Sequence, residues 1–447
     1  MNVRSPTLVA LGWASGTLGS STMLGAINLV VLFYFTEYLG IAPGIAGGLI
    51  FVSRLWDIGA AVVIGQWSDR TRSRYGRRAP FMFAAGPLAA VAYVALFAAP
   101  TTLDASLVQW WALVALILFA TGYSLFVVPY LAVPAEITAI AHERTTMMSW
   151  RVAAMTIASL NIAVLGPVLI DRFGKGREGY FGMSLVQAAI VLAFMWLCAL
   201  VVSRTPTLES GRAASGNSIA QLRNVLRNEP FRIFIAAKFF QLTAVASTGA
   251  SILYLARYVL HQDESFLIRF GAYQTVGTLL SIPGWAWLGR RYGKRNVYMA
   301  SGLAYALVAF SWIASVGGEP SWVTDVRLAS TGVITAGLLV MGFSLLPDTM
   351  EHNTRTTGVA LEGTMSAVYS IVEKGTAAVG PLLAGLVLQW SGFVSAAGGK
   401  LPPAQPDLAI ASIVTLAAIL PGVCNVLGVW MLTRLSLGGL PEKFNQA

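Results

Sequence analysis

Charged residues and cysteines are scarce in this 447-residue sequence, in which 11% of residues are charged and 56% are hydrophobic. That balance is too apolar for a soluble domain of ordinary composition. The only two cysteines, Cys198 and Cys424, lie in apolar runs, which excludes a disulfide framework and a cysteine-based metal site. The three histidines, at 142, 261 and 352, fall near loops without ligand spacing, so we assign no metal and expect no cofactor.

An enzyme acting within a membrane would need paired carboxylates, an HExxH motif or a nucleophile–base set at membrane depth. The sequence shows none of these patterns. We therefore predict that the protein is not an enzyme.

Long apolar runs make up most of the chain, and a membrane-spanning helix needs about 20 apolar residues. With connections, about 12 spans fit into the length. The runs lie at 8–36, 45–67, 80–100, 107–134, 148–170, 181–203, 231–259, 267–289, 297–316, 328–347, 362–390 and 408–434. The first is too long for a signal-peptide core and follows a single basic residue, Arg4, so we predict a retained helix.

Basic residues outnumber acidic ones, 30 to 20, but they sit in short loops and do not form a nucleic-acid-binding surface. Loops after even-numbered spans and the termini hold roughly 20 Lys and Arg, whereas the opposite loops hold about six. The positive-inside rule then places both termini and the central loop in the cytoplasm. The sequence predicts a multi-pass protein of a bacterial inner membrane.

A polar segment divides the chain into two halves. We predict a six-helix bundle over 1–203, a cytoplasmic linker over 204–230 and a second six-helix bundle over 231–447. Within the linker, an amphipathic helix is possible from Ser218 to Arg227.

The two halves contain similar sequence motifs at corresponding positions. DRTRSRYGRR at 69–78 follows the second span and GRRYGKR at 289–295 follows the eighth. LAVPAE at 131–136 closes the fourth span and SLLPDT at 344–349 closes the tenth. Repeated halves in a parallel relation are one way in which transporters build a pathway.

Charges also lie inside predicted spans. Lys374 lies within the run 363–390, and Arg54 and Asp57 lie within 50–66. A lysine at membrane depth costs about 2.5–3.5 kcal/mol on insertion scales and is normally paired or faces water. Such charges usually line a path for ions or solutes, although a static salt bridge that fixes helix packing is the alternative.

The layout resembles the major facilitator superfamily, and within it the glycoside–pentoside–hexuronide:cation symporters, the family of melibiose permease. The matching blocks are RLWD at 54–57, TRSRYGRR at 71–78, PY at 129–130, EIT at 136–138, ERT at 143–145, LPDTME at 346–351, TG at 357–358, EG at 362–363 and KG at 374–375. They lie in both halves and in order. The resemblance implies an all-α fold of twelve transmembrane helices in two pseudo-symmetric bundles that transports solute by alternating access.

The resemblance implies a cation-coupling site at Asp57 with Lys374 close to it, and Arg54, the other charge in the same run as Asp57, is a further candidate. The family's sodium site uses further carboxylates where this sequence has Ala61 and Val127. Sodium prefers several hard oxygen ligands, whereas one buried carboxylate beside a cation suits a proton. We therefore expect proton coupling, or no coupling, in place of sodium coupling.

The family's solute-binding positions are only partly matched. Ser21 stands where melibiose permease has an acidic residue that holds galactosyl hydroxyls, and Arg151 matches a family arginine. Arg151 suits an acidic sugar through a bidentate contact, but pairing with Glu136 or with a lipid phosphate is an equal alternative. The other solute-binding candidates are Tyr130, Gln274, Trp56, Gln241 and Tyr369.

Charged loop residues are candidates for gating, because they can cap helix ends and pair across the cytoplasmic face. They are Asp69, Arg70, Arg74, Arg77, Arg78, Glu136, Asp348 and Glu351. We predict a monomeric secondary transporter of a glycoside, sugar or sugar acid. A lysolipid or other amphiphile transporter of the same fold and an uncoupled facilitator are the alternatives.

Overall fold

The computed structural model describes residues 6–138, 141–206, 218–262, 266–318, 320–357, 361–395 and 404–436. Within these ranges the chain is helical and contains no strand, as predicted. Part of the predicted linker, residues 207–217, lies outside the described residues.

The described residues of the first half form eight α-helices, and two pairs of these helices are each joined by a π-helical turn. They are α1 (Pro6–Ala26), α2 (Leu32–Glu37), α3 (Pro43–Arg70), α4 (Ala79–Phe97), α5 (Ala105–Ile137), α6 (Ala141–Leu160), α7 (Gly166–Arg172) and α8 (Gly176–Ser203). The π-helical turns Ile27–Val31 and Asn161–Leu165 connect α1 to α2 and α6 to α7.

The second half begins with the short helix α9 (Ser218–Arg227), where the sequence predicts an amphipathic helix. The helices that follow are α10 (Glu229–Tyr254), α11 (Phe266–Tyr292), α12 (Lys294–Ser311), α13 (Ser321–Thr357), α14 (Glu362–Trp390), α15 (Asp407–Val414) and α16 (Leu420–Thr433). π-helical turns extend α10 over Leu255–Val259 and join α15 to α16 over Thr415–Ile419, and a 3₁₀ turn, Trp312–Gly317, extends α12.

Eleven helices in the described part of the chain are long and apolar enough to cross a membrane, by length and composition. The helix α11, with 27 residues, occupies the predicted eighth span but is not one of these eleven. Its Arg269 pairs with Asp325 of α13, with 3.0 Å between Nη1 and Oδ1. A charge that is neutralised inside the protein lowers the apolarity of a span without removing the helix.

Local sequence signals explain several helix ends. The Asp104 side chain caps α5 by accepting from Leu107 N at 2.8 Å, and Asn228 caps α10 by accepting from Phe231 N at 2.9 Å. The repeated turns use glycine in the left-handed region, with φ of 87° at Gly76 and 83° at Gly293. A side chain at either position would be strained.

The chain forms two compact units. Unit 1 comprises Met1–Ala213 and Gly385–Ala404, and unit 2 comprises Ala214–Ala384 and Gln405–Ala447. Large aromatic side chains such as Trp13, Tyr93 and Phe126 fill the core of unit 1. The core of unit 2 contains Phe234, Tyr298 and residues of α13 and α16. The domain boundaries predicted from the sequence stay predictions.

Candidate functional site

Asp57 lies on the buried face of α3, in unit 1, and is 2% exposed. The Ser124 hydroxyl of α5 donates to its carboxylate Oδ1 and lies 3.3 Å from its backbone oxygen. Ser124 is also buried. A carboxylate sealed in this way keeps its charge only if polar or positive groups surround it.

Arg54 provides that positive charge one turn earlier on α3. It is 8% exposed, and its Nη2 donates to Asn28 Oδ1 at 3.2 Å. The guanidinium lies within electrostatic range of Asp57 and Tyr123, and its buried Nε has no hydrogen-bond partner in the described structure. Arg54 and Asp57 therefore form a buried charge cluster inside a spanning helix, as the motif RLWD indicates.

The composition of this cluster limits which cation it can bind. Ala61 follows Asp57 by one turn, and the buried Val127 lies on α5. In the described part of the chain no group of three or more His, Cys, Asp or Glu side chains is placed to hold a metal ion. A single carboxylate with a hydroxyl and a guanidinium nearby can bind and release a proton more readily than it can coordinate sodium.

Lys374, the third predicted coupling residue, lies on α14 in unit 2 and is partly buried. Its pairing with Asp57 stays a prediction.

A second polar cluster in unit 1 surrounds Tyr130. The ring of this tyrosine stacks on Trp13 with centroids 4.6 Å apart, and its hydroxyl lies 2.6 Å from Thr17 Oγ1. Tyr130 is 1% exposed. The residue predicted to bind solute is therefore enclosed by the packing of α1 against α5.

Arg151 on α6 completes this cluster. The guanidinium interacts with the Tyr130 hydroxyl, and its buried Nε has no hydrogen-bond partner in the described structure. The Glu136 carboxylate, the alternative partner considered above, accepts from Arg77 and Arg78. The Nε–H of Arg151 can therefore donate a hydrogen bond to a bound anion.

The remaining solute-binding candidates have different surroundings. Trp56 is 50% exposed and donates from Nε1 to Thr121 Oγ1 at 2.9 Å. Gln274, in unit 2, is partly buried, and its Nε2 donates to Thr335 Oγ1 at 3.3 Å. Gln241 and Tyr369, also in unit 2, are buried among the helices. Half of the six candidates lie in each unit, and their use in a single site stays a prediction.

A charge network joins three helix ends in unit 1. Arg78 donates from Nε to Glu136 at 2.8 Å and from Nη1 to Ser68 at 2.6 Å, and its Nη2 lies 2.5 Å from Asp69. Arg77 Nη2 reaches the same Glu136 oxygen at 2.9 Å. This network ties the end of α3 to the start of α4 and the end of α5. Arg70 and Arg74 are exposed, and Arg74 lies 4.7 Å above the Tyr75 ring.

Unit 2 has a smaller counterpart. Lys294 Nζ, at the start of α12, contacts both carboxylate oxygens of Asp348 on α13, at 2.7 and 2.9 Å. Glu351 pairs with Arg355 along α13. In each half, a basic residue that closely follows the turn glycine thus pairs with a carboxylate just after the proline motif.

Sequence reasoning missed two buried polar residues. Ser124, which donates to Asp57, is the first. Lys238, in α10, is the second and is 2% exposed. The available signal was a lysine inside the apolar run 231–259, with Gln241 three residues later on the same helix face.

This chain is similar to known proteins over most of its length. A family model described as MFS/sugar transport protein matches residues 12–439. The inner membrane symporter YicJ of Escherichia coli (strain K12) is 24% identical over 434 residues, which cover 95% of this chain and 90% of YicJ. The glucuronide carrier protein homolog of the same organism is 23% identical over 399 residues, which cover 88% of this chain and 86% of the carrier.

A solved structure is also similar. The crystal structure of a bacterial homolog to the human lysosomal transporter Spinster, in an inward-facing and occupied conformation, aligns with a TM-score of 0.69 at 12% identity, covering 100% of both chains. At this identity the likeness shows the fold alone.

Proposed function

We propose that this chain, which belongs to the MFS/sugar transport protein family, moves a glycoside or sugar acid together with a proton. The family comprises the glycoside–pentoside–hexuronide symporters that the sequence resembles. The chain is therefore a secondary transporter of sugar-type solutes with the major facilitator fold. The name of the similar glucuronide carrier supports an acidic sugar as cargo. Asp57 is the coupling carboxylate in this proposal. Arg151 is the residue that meets the anionic group of the solute.

The observation that carries the proposal is the isolation of the Asp57 carboxylate on α3. It is buried, held by the Ser124 hydroxyl and close to the Arg54 guanidinium. Protonation removes the charge of Asp57, so that Arg54 needs another negatively charged partner. An anionic solute can then supply the missing negative charge, which would couple proton and solute.

Arg151 supports an acidic cargo for a separate reason. A buried guanidinium nitrogen without a hydrogen-bond partner is costly, because the desolvation of a polar group is then uncompensated. A carboxylate or sulfonate on the solute would satisfy it with strong, charge-assisted hydrogen bonds. A neutral glycoside would satisfy it less well.

The test is transport by the purified protein in lipid vesicles, with matched panels of neutral glycosides, uronates and lysolipids. We expect uptake of at least one glycoside or uronate. This uptake should be faster when the pH is lower outside the vesicles, where the solute is added, than inside. Uptake of lysolipid alone would overturn the sugar proposal and favour the amphiphile transporter. Uptake of sugar that responds to neither a pH gradient nor a sodium gradient would instead identify an uncoupled facilitator.

Three further features belong to the same proposal. Both termini lie in the cytoplasm of a bacterial cell, because the predicted loops on that side carry most of the basic residues. The protein works as a monomer in the lipid bilayer, with the proton and one solute as its partners. The Asp69–Arg78–Glu136 network then lies at the cytoplasmic end of unit 1, where it would stabilise one access state.

A further inference from the structure

A cavity of about 200 Å³ lies at one end of unit 1. Its wall is formed by the loop between α3 and α4, by the first residue of α4, by the end of α5 and by residues around Ser203, where α8 ends. None of the candidate coupling and solute-binding residues lines it, although the structure describes all of them. A polar space of this size can hold several water molecules or one small polar group.

Arginine side chains dominate the charge of this cavity. Arg74, Arg77 and Arg78 line it, together with one carboxylate, that of Glu136. Glu136 accepts from both Arg77 and Arg78, and Asp69 pairs with Arg78 from outside the lining. Three guanidiniums are therefore set against two carboxylates, which leaves one positive charge in excess.

The excess charge belongs to Arg74. This residue is exposed, and among the described residues its guanidinium makes one contact, with the face of the Tyr75 ring, whose centroid lies 4.7 Å away. A guanidinium has five N–H donors, and stacking on a ring uses none of them. Its planar fork suits a bidentate contact with a phosphate group.

The backbone around the cavity adds positive charge and space. Gly76, with a φ of 87°, turns the loop along the cavity, and nothing lies within 4 Å of a Cβ built on it. The helix α4 begins at Ala79, so its N-terminus opens on the same cavity. The partial positive charge of a helix N-terminus favours an anion there, in addition to the side chains.

The depth of the cavity matches that of lipid headgroups. The candidate spans Ala79–Phe97 and Gly176–Ser203 each have one end at this cavity. Tyr75 lines it, is 46% exposed and lies edge-on to Phe83 with ring centroids 6.4 Å apart. Exposed aromatic residues at the ends of spans concentrate at the membrane–water interface. Basic pockets between spanning helices at that level bind phosphate headgroups.

We propose that this cavity, the arginine pocket (Arg74, Arg77 and Arg78), is a binding site for a phosphate group. Arg74 supplies the N–H donors, and the other two arginines, fixed by Glu136, supply the surrounding positive potential. The headgroup of an anionic membrane lipid is the source that the depth favours, and free phosphate carries the same chemistry. This inference goes beyond the proposed function and does not depend on which solute or ion is transported.

The test counts lipids that remain bound to the purified full-length protein in detergent, by native mass spectrometry. The probes are phosphatidylglycerol, diacylglycerol with the same acyl chains but no phosphate, and inorganic phosphate. Arg74→Gln removes the available guanidinium. Arg72→Gln is the matched control, because Arg72 is exposed on the same loop but does not line the cavity.

A second pair of variants changes the space and leaves the charge unchanged. Ser203, which is partly buried, lines the cavity and donates to Leu200 O of its own helix. Ser203→Trp fills the space, whereas Ser203→Ala leaves it open. Arg74 is exposed and lies outside the ion-pair network, so Arg74→Gln keeps the test decisive if Ser203→Trp does not fold.

We expect the parent protein to retain phosphatidylglycerol and to release diacylglycerol. Arg74→Gln should weaken retention of phosphatidylglycerol about fivefold, the effect of one arginine near a membrane surface, and Arg72→Gln should match the parent. Ser203→Trp should abolish retention while Ser203→Ala preserves it. Binding of inorganic phosphate alone, with the same dependence on Arg74, would support the site and identify free phosphate as its source.

Two outcomes would overturn the inference. Equal weakening by Arg74→Gln and Arg72→Gln would show that lipid is attracted by diffuse surface charge and not by a pocket. Retention of diacylglycerol equal to that of phosphatidylglycerol would show that the phosphate is not recognised. Because the readout is binding and not transport, a failure to transport any sugar would overturn the proposed function without affecting this test.

Discussion

In the proposed function, single charges on spanning helices determine which ion is coupled to the solute. Asp57 is enclosed by α3 and α5, where a Ser124 hydroxyl donates to its carboxylate and the Arg54 guanidinium lies within electrostatic range. A carboxamide has the same shape but never carries the charge. The substitution of Asp57 by Asn therefore separates the coupling charge from the packing of the helix.

For Asp57→Asn we expect loss of solute accumulation against a gradient while exchange of internal for external solute persists. The reason is that exchange returns the loaded carrier without moving net charge, whereas accumulation requires that Asp57 bind and release the proton. The measurement is uptake of labelled solute with and without a pH gradient. Asp104→Asn is the matched control, because Asp104 is exposed and asparagine caps a helix equally well. Accumulation by Asp57→Asn equal to that of the parent would remove Asp57 from the coupling mechanism.

The residues of the coupling motif could be located from the sequence, but the face that each one presents could not. Asp57 and Arg54 were predicted as charges inside a span, with Lys374 as the predicted partner of Asp57, because charges in an apolar run are normally paired. Tyr130 has the same apolar surroundings in sequence, yet its ring stacks on Trp13 and is enclosed in the bundle. Lys238 was missed because depth in a span does not tell whether a side chain meets a neighbouring helix, water or lipid.

At the scale of elements, a charge network fixes the ends of α3, α4 and α5. The Arg78 and Glu136 side chains are 10% and 6% exposed, so their ion pair is partly removed from water. Breaking a buried pair by removing one charge costs about 3–5 kcal/mol, because the other charge is left unpaired. Asp69 and Ser68 still contact Arg78, so we expect the lower end of that range.

Glu136→Gln should therefore lower the free energy of unfolding by about 3 kcal/mol, measured as a decrease in thermal unfolding temperature in detergent. Glu351→Gln is the control, because the Glu351–Arg355 pair lies on one helix and both side chains are more than half exposed. Exposed pairs of this kind contribute about 0.3–0.5 kcal/mol. Equal losses in the two variants would contradict the role assigned to the network.

The approach of α11 to α13 depends on glycine. A Cβ on Gly332 would lie 2.5 Å from the backbone oxygen of Tyr273 and 2.9 Å from that of Gln274. Backbone atoms cannot move aside as a flexible side chain can, so the two helices must separate. Overpacking of this kind typically costs about 1–3 kcal/mol.

We expect Gly332→Ala to lower the thermal unfolding temperature and the yield of folded protein. Gly284→Ala, on α11, is the control, because nothing lies within 4 Å of the added Cβ. Alanine is favoured over glycine inside a helix by about 1 kcal/mol, so the control should be neutral or stabilised. A stabilised Gly332→Ala would show that α11 and α13 do not need this close contact.

Helix positions were predictable because apolar runs and capping residues are local signals. The run 231–259 coincides with α10 and its π-helical extension within two residues, and α9 has the predicted bounds. The π-helical turns were not predictable, since they arise from how neighbouring helices pack. The ion pair of Arg269 with Asp325 was not predictable either, because the two residues lie 56 positions apart in the sequence.

The two halves of the whole molecule repeat a turn and a proline motif, but their charged residues differ. Unit 1 holds the Arg54–Asp57 pair, and unit 2 holds Lys238 with Glu373 and Lys374. The Arg54–Asp57 pair has one carboxylate, and a proton needs a single oxygen atom whereas a metal cation prefers several oxygen ligands, so this composition suits the proton of the proposed function.

The last prediction concerns the coupling ion of the whole transporter. Sodium binds through several oxygen ligands, and Ala61 and Val127 supply no carboxylate near Asp57. We expect uptake to proceed in sodium-free buffer, to rise with an imposed pH gradient and to collapse when a protonophore dissipates that gradient. Vesicles with a sodium gradient but equal pH on both sides are the control and should show only equilibration. Uptake that requires sodium and ignores pH would contradict the assignment, because it would require oxygen ligands around Asp57 beyond Ser124 and the carboxylate itself.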